Sequence, residues 1–256
     1  MDPDLSEFSF GFALTSELIA RHKLKRAGAP VFATQLEEAK PGGGWDMKLP
    51  ALPIYLQFKR SDRMVLRTAK HAAKFASMPF YRMHLRRSLH SQQHQLLLDL
   101  ENKGNHVFYA APGFSTSEEL SDAYVKDQMT KRSLFVSPSA IGKLKDDKAH
   151  HVAFQLPGPV FFCSEPVRIN PTDIDALLSN VVPEQATSVD EVDANEFFRG
   201  VADDLLSVYE SRESVPQQRR LELQLLRERR EPAEFAGLIA RTLFDVDLLV
   251  ATRADA

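Results

Sequence analysis

Residues 45–59 read WDMKLPALPIYLQFK, and this stretch decides the predicted fold. Its second half, residues 54–58, is rich in aromatic and β-branched side chains and follows a proline, which predicts a strand. Its first five residues predict a shorter strand, set off by a run of glycines before it and by prolines after it. Two neighbouring strands would bring Asp46 close to Gln57 and Lys59.

The rest of residues 1–168 predicts further alternation of helices and strands. The first six elements read helix, strand, strand, strand, helix, strand, an order typical of α/β proteins. We therefore expect a mixed central sheet flanked by helices. The predicted helices are 8–22, 63–76, 91–102 and 117–130, and the other strands are 31–36, 80–85, 106–111, 133–136, 152–154 and 160–162.

The composition changes beyond about residue 166. Residues 1–150 carry 22 Lys and Arg against 16 Asp and Glu, whereas the remainder carries 10 against 19. Helical periodicity dominates there, so we expect an α/β domain at residues 1–168 and an acidic helical region at 169–256. The helices predicted in that region are 172–179, 190–209, 216–230 and 232–249.

Composition also excludes several classes of protein. The single cysteine, Cys163, rules out an internal disulfide framework. No apolar run has the length of a membrane span, and the first ten residues lack a basic segment followed by an apolar one. Neither phosphate-binding glycine motif, G-x-x-x-x-G-K-[ST] or G-x-G-x-x-G, is present. We expect a cytoplasmic protein that is neither membrane-bound nor a nucleotide-dependent motor.

The spacing around residue 57 suits phosphodiester hydrolysis. Residues i and i+2 of a strand point to the same face, so Gln57 and Lys59 would both face a cation held by Asp46. Carboxylate and amide oxygens are ligands for Mg²⁺, or Mn²⁺ in its place. A bound cation polarises the phosphoryl oxygen and activates water. Lys59 would then stabilise the developing negative charge.

Basic residues follow this motif closely. Residues 57–90 contain nine Lys and Arg but one acid, Asp62. Local positive charge is typical of a surface that binds nucleic-acid phosphates. We expect DNA as the partner, with phosphate contacts from Arg60, Arg63, Arg67, Lys70 and Lys74.

The order Asp46, ten residues, then Q-x-K at 57–59 resembles the PD-(D/E)XK nuclease superfamily. The Q-x-K branch, with type IV restriction endonucleases and Holliday-junction resolvase-like proteins, is the most similar. The resemblance implies a restriction-endonuclease-like core and a metal-dependent endonuclease in bacterial defence or repair. Trp45 stands where the family motif has its proline.

The resemblance also implies a glutamate that completes the metal site. In the superfamily this residue often lies on the first helix, which suggests Glu17 as a catalytic residue and metal ligand. Glu7, Glu37 and Glu38 are alternatives.

A different class of function is also compatible with the sequence. The chain could be a non-catalytic interaction or regulatory protein on the same scaffold. Residues 170–256 would then bind a protein partner or mediate self-association. A nuclease that needs a partner for activity is a third alternative.

Overall fold

Most of the chain is described in the computed structural model of this protein. The described residues are 3–22, 52–87, 91–185, 191–212 and 215–251. The strands predicted at 31–36 and 45–49 lie outside these ranges. Asp46, Glu37 and Glu38 lie outside them too, so their predicted roles remain predictions.

A mixed sheet surrounds β1 (Leu52–Phe58). On one edge β1 pairs in parallel with β4 (His106–Pro112), and on the other it pairs antiparallel with β9 (Asp247–Ala251). Beyond β4 lies β5 (Ser133–Val136), so the order is β5-β4-β1-β9. A strand with neighbours on both sides is usually apolar on both faces, and Tyr55 and Leu56 are fully buried. The predicted mixed α/β architecture is confirmed.

Helix α1 (Glu7–Arg21) packs on β1 through a glycine. Ser6 caps the helix, and its Oγ accepts a hydrogen bond of 2.9 Å from the backbone of Ser9. A Cβ atom at Gly11 would lie 2.5 Å from the ring of Phe58. The absence of a side chain at this position therefore allows the close approach of α1 to β1.

Further helices cover the sheet. A parallel strand pair requires a crossover, and the chain between β1 and β4 passes through α2 (Gln93–Asn102). Helices α6 (Glu191–Arg212) and α8 (Pro232–Phe244) pack against each other and against α2. None of the helices in the described ranges is long and apolar enough to cross a membrane. The other described helices are α3 (Ser117–Val125), α4 (Pro138–Ile141), α5 (Ile174–Gln185) and α7 (Gln217–Arg229).

A second sheet is entirely antiparallel. Its order is β2-β3-β6-β7-β8. Residues 65–79 connect β2 to β3 and contain a short 3₁₀ turn, and we call them the cover segment. Side chains of this segment pack in a small hydrophobic cluster with Phe80 and Ala153 of the sheet and with Cys163. The strands are β2 (Ser61–Met64), β3 (Phe80–Leu85), β6 (His150–Phe154), β7 (Val160–Phe162) and β8 (Val167–Ile169).

The helix predicted at residues 63–76 is wrong. Arg63 and Met64 belong to β2, where they pair with β3. The 3₁₀ turn that follows spans only Ala72–Lys74. Ala72 and Phe75 are buried because they pack onto the second sheet, so tertiary contacts override the helical spacing of this segment.

The C-terminal region is not purely helical. The helix predicted at 232–249 ends at Phe244, and Asp245 adopts the left-handed conformation (φ 57°) before the chain enters β9. Strand β9 pairs with β1, and Phe244 belongs to the same hydrophobic cluster as Leu56. The predicted division at residue 168 therefore does not coincide with a break in the sheet or in the core.

Candidate active site

Gln57 and Lys59 lie at the carboxyl end of β1. The backbone N–H of Lys59 donates to the carbonyl of Ala110, 2.9 Å away, so pairing with β4 continues to this residue. Phe58 points the other way and meets Phe10 of α1 edge to face, with ring centroids 5.8 Å apart. The predicted shared orientation of Gln57 and Lys59 is confirmed, since both side chains contact the same partner.

That partner is Gln93, at the start of α2. Lys59 Nζ donates to Gln93 Oε1 over 3.1 Å. Gln93 Nε2 donates to Gln57 Oε1 and to Asp245 Oδ2, each 2.5 Å away. A carboxylate oxygen and an amide oxygen therefore converge on one atom, beside a buried amine. All four residues are at most 5% exposed.

Asp245 is the acid that the structure brings to this site. It is the residue that ends α8, and β9 begins two residues later. Over Leu52–Leu56, β9 occupies the edge of β1 that faces away from β4. Arg86 reaches the same carboxylate, with Nη2 3.0 Å from Oδ2, and its side chain is 42% exposed. Arg86 thus connects the buried cluster to the surface.

Glu7 lies on the same side of the molecule. Its Oε1 accepts a hydrogen bond of 3.3 Å from the backbone N–H of Arg60, directly after Lys59. Two of the four glutamates predicted as candidates, Glu7 and Glu17, are described, and Glu7 is the one that contacts the end of β1.

Burial dominates the electrostatics of the cluster. It lowers the pKa of Lys59, although the nearby carboxylates of Glu7 and Asp245 act in the opposite direction. Burial likewise raises the pKa of Asp245, and the charges of Lys59 and Arg86 oppose this. Both shifts favour the uncharged form of the group concerned. Perturbed, mutually coupled groups of this kind are typical of functional sites.

Glu17, the glutamate predicted as a metal ligand, makes hydrogen bonds that hold the fold together. Its carboxylate accepts hydrogen bonds from the backbone N–H groups of Met129 and Thr130, at 2.6 and 3.0 Å, and from the Thr130 hydroxyl at 2.7 Å. It also pairs with Arg21. Ten residues of helix separate it from Glu7, a distance of about 15 Å. These contacts tie α1 to the turn before β5.

The basic residues predicted to bind phosphates lie at and after the end of β1. Arg60 is exposed. Arg63 is in β2, and Arg67, Lys70 and Lys74 are in the cover segment. Arg67 donates to the carbonyls of Phe75 and Ala76 and so holds the cover segment together. Lys70 is exposed, and Lys74 lies 5.0 Å from the ring centroid of Phe161.

Sequence reasoning missed Gln93, Asp245 and Arg86. Gln93 and Asp245 stand far from residue 57 in the chain, and no motif links them to it. The one local sign was an acidic D-V-D triplet at 245–247 before an apolar run, within a segment predicted as helix.

Among the described ranges, no group of three or more His, Cys, Asp or Glu side chains is arranged to hold a metal ion. Comparisons of the chain with protein-family models, with curated proteins and with solved structures found no match.

Proposed function

We propose that this protein is a metal-dependent nuclease that hydrolyses phosphodiester bonds of DNA. The observation that carries the proposal is the convergence of Gln57 Oε1 and Asp245 Oδ2 beside Lys59 Nζ, all within reach of the Gln93 side chain. Oxygen donors next to a buried amine suit the chemistry of phosphoryl transfer.

The donor set fits a hard divalent cation. Mg²⁺ binds through one or two carboxylates and keeps several waters, so it does not require a complete protein cage. Gln57 Oε1 and Asp245 Oδ2 would hold it in place of their shared donor, the Gln93 Nε2 amide, with Asp46 a predicted ligand outside the described residues. When bound, such a cation polarises the phosphoryl oxygen and lowers the pKa of its water.

Lys59 has the properties needed to act on the reacting phosphate. It is buried, and Gln93 orients its amine. A preoriented cationic donor in a site of low dielectric constant stabilises developing negative charge more strongly than it would in water. Gln93 holds Lys59 and Asp245 together, which makes it a positioning residue.

The route for nucleic acid follows from the exposed charges. Arg60 and Arg86 are exposed next to the buried cluster, and Lys70 is exposed on the cover segment. Contacts from these side chains to backbone phosphates would be largely independent of sequence and sensitive to salt.

The test is a cleavage assay on single- and double-stranded DNA and RNA with Mg²⁺ or Mn²⁺. Lys59→Met and Asp245→Asn are expected to lose cleavage by at least about 100-fold, the scale for losing a group that acts in the transition state. Asp46→Asn tests the predicted third ligand in the same assay. Matched controls are Lys145→Met and Asp122→Asn, whose side chains are 75% and 46% exposed, and they should retain activity.

Two results would overturn the proposal. One is wild-type protein that cleaves no nucleic acid with either metal. The other is undiminished cleavage by folded Lys59→Met protein. The alternative would then be an interaction protein that assembles through its C-terminal helices. That alternative is supported by Leu221 and Leu225, which lie four residues apart on α7 and are 54% and 49% exposed.

A further inference from the structure

Two histidines face each other on the second sheet, outside the candidate active site. His84 on β3 and His151 on β6 are directly paired in the strand register. Their ring centroids are 4.3 Å apart. The His84 side chain is half exposed, and His151 is partly buried beside it. Two imidazoles thus stand side by side at the edge of solvent.

An arginine on the same strand adds fixed positive charge. Arg82 Nη2 donates to Asp62 Oδ2 over 3.1 Å, and the same oxygen lies 2.6 Å from His84 Nε2. Arg82 Nε is buried and makes no hydrogen bond within the described part of the chain. Asp62 therefore orients Arg82 and His84, and within the described ranges the Nε–H of Arg82 has no hydrogen-bond partner.

The cover segment brings further basic side chains near this pair. Lys70 and His71 are close enough to act electrostatically on His151, and Lys74 lies nearby against Phe161. His71 also has φ 75°, a left-handed conformation that is uncommon for a residue other than glycine. Such backbone outliers cluster at ligand-binding sites.

The charges around His151 are unbalanced. Burial lowers its pKa to about 4, and the further causes are His84 and Arg82 on β3 and Lys70 and His71 on the cover segment. Among the described residues, Asp62 on β2 is bonded to Arg82 and His84. Arg82, Lys70 and Lys74 thus outnumber this acid in the described part of the site, and a bound anion would be stabilised there.

We infer that the side chains of Arg82, His84 and His151, together with Lys70 of the cover segment, bind a phosphate group. Imidazole and guanidinium groups provide directed donors for phosphate oxygens. The inference extends the proposed function by adding a second phosphate contact away from Lys59. It is tested by binding, so it does not depend on cleavage.

Histidine side-chain NMR of the full-length protein is the direct measurement. Inorganic phosphate is titrated in one arm and a short single-stranded oligonucleotide in another, between about pH 5 and pH 7, where histidines respond to their surroundings. We expect saturable shifts of the His84 and His151 signals and a rise in the pKa of His151 on binding. In the oligonucleotide arm, where the phosphodiester charge is constant over this range, binding should tighten as the pH falls, because the protonated form of His151 is the better donor.

Variants distinguish specific binding by these histidines from binding to positive surface charge in general. His151→Gln and His84→Gln are expected to weaken phosphate binding at least about tenfold, the scale for losing a hydrogen bond to a charged group. His106→Gln, on the first sheet, is the matched control and should bind as the wild type does. Equal urea midpoints would show that the variants are folded.

The two arms also identify the source of the phosphate. Saturation by inorganic phosphate alone indicates a site for a free phosphate or a phosphate monoester. Tighter, salt-dependent saturation by the oligonucleotide indicates the backbone of a nucleic acid. Absence of shifts in both arms, or equal loss of binding in His106→Gln, would overturn the inference. Binding without cleavage would remove the nuclease proposal and leave this one standing, and cleavage without binding would do the reverse.

Discussion

The contact between α1 and β1 gives the sharpest test of how the site is positioned. Gly11 faces Phe58, the residue between Gln57 and Lys59, and a Cβ atom there would lie 2.5 and 2.7 Å from two atoms of the aromatic ring. Phe58 is buried and packed against Phe10, so its ring has little room to move. Gly11→Ala is expected to push the end of β1 out of place.

Two opposing effects set the magnitude. Alanine is more favourable than glycine inside a helix by about 1 kcal/mol. Overpacking of a well-packed core costs about 1–3 kcal/mol, and a 2.5 Å contact with a fixed ring belongs near the upper end. The net expectation is a loss of about 2 kcal/mol in the free energy of unfolding. For a chain of this size, that corresponds to a decrease of about 6 °C in Tm.

Gly200 offers a matched control. It lies inside α6, and a Cβ atom there would meet no other atom within 4 Å. Gly200→Ala should therefore be stabilising by about 1 kcal/mol, from helix propensity alone. Urea unfolding and thermal melts of both variants measure the difference. Equal stability of the two variants would refute the close packing of α1 on β1.

Two further predictions concern buried carboxylates. Because burial raises the pKa of Asp245 above 3.8, the native state holds its proton more tightly than the unfolded chain, and stability should fall as pH rises above that value. Asparagine tolerates the left-handed backbone at this position, so the Asp245→Asn protein should fold but should not show this decline. If the stability of both proteins, measured by urea unfolding, changes with pH in the same way, the prediction is wrong. Glu17→Gln replaces an acceptor of four hydrogen bonds, so we expect about 1–3 kcal/mol of destabilisation. The folded fraction should nevertheless cleave at the wild-type rate, whereas a stable but inactive Glu17→Gln protein would restore the catalytic role predicted from the resemblance.

Local sequence patterns predicted the elements around the site well. The apolar spacing of α1 and the β-branched and aromatic run of β1 correspond to the observed Glu7–Arg21 and Leu52–Phe58. The i, i+2 rule is sufficient to predict that Gln57 and Lys59 lie on one face. These features depend on residues close together in the chain, so composition and spacing are sufficient to predict them.

Two segments could not be predicted in this way. Residues 63–76 are predicted as a helix, but the pairing of Arg63 and Met64 with β3 and the packing of Ala72 and Phe75 on the second sheet outweigh propensity. The helix predicted at 232–249 continues an apolar pattern into residues 247–249, yet residues 247–251 pair with β1. In both cases the deciding partner is a distant strand.

The candidate site likewise combines residues predicted from local sequence with residues that only the tertiary structure brings together. Sequence alone determined an α/β chain with an amide and an amine at the end of one strand, and it suggested Asp46 as their partner. Gln93 lies 36 positions from Gln57 in the chain, and Asp245 lies 188 positions away. Only the tertiary structure brings them together, through the packing of α2 and the pairing of β9 with β1. Hydrogen bonds and burial across such separations form only when the whole core assembles, so no local pattern encodes them.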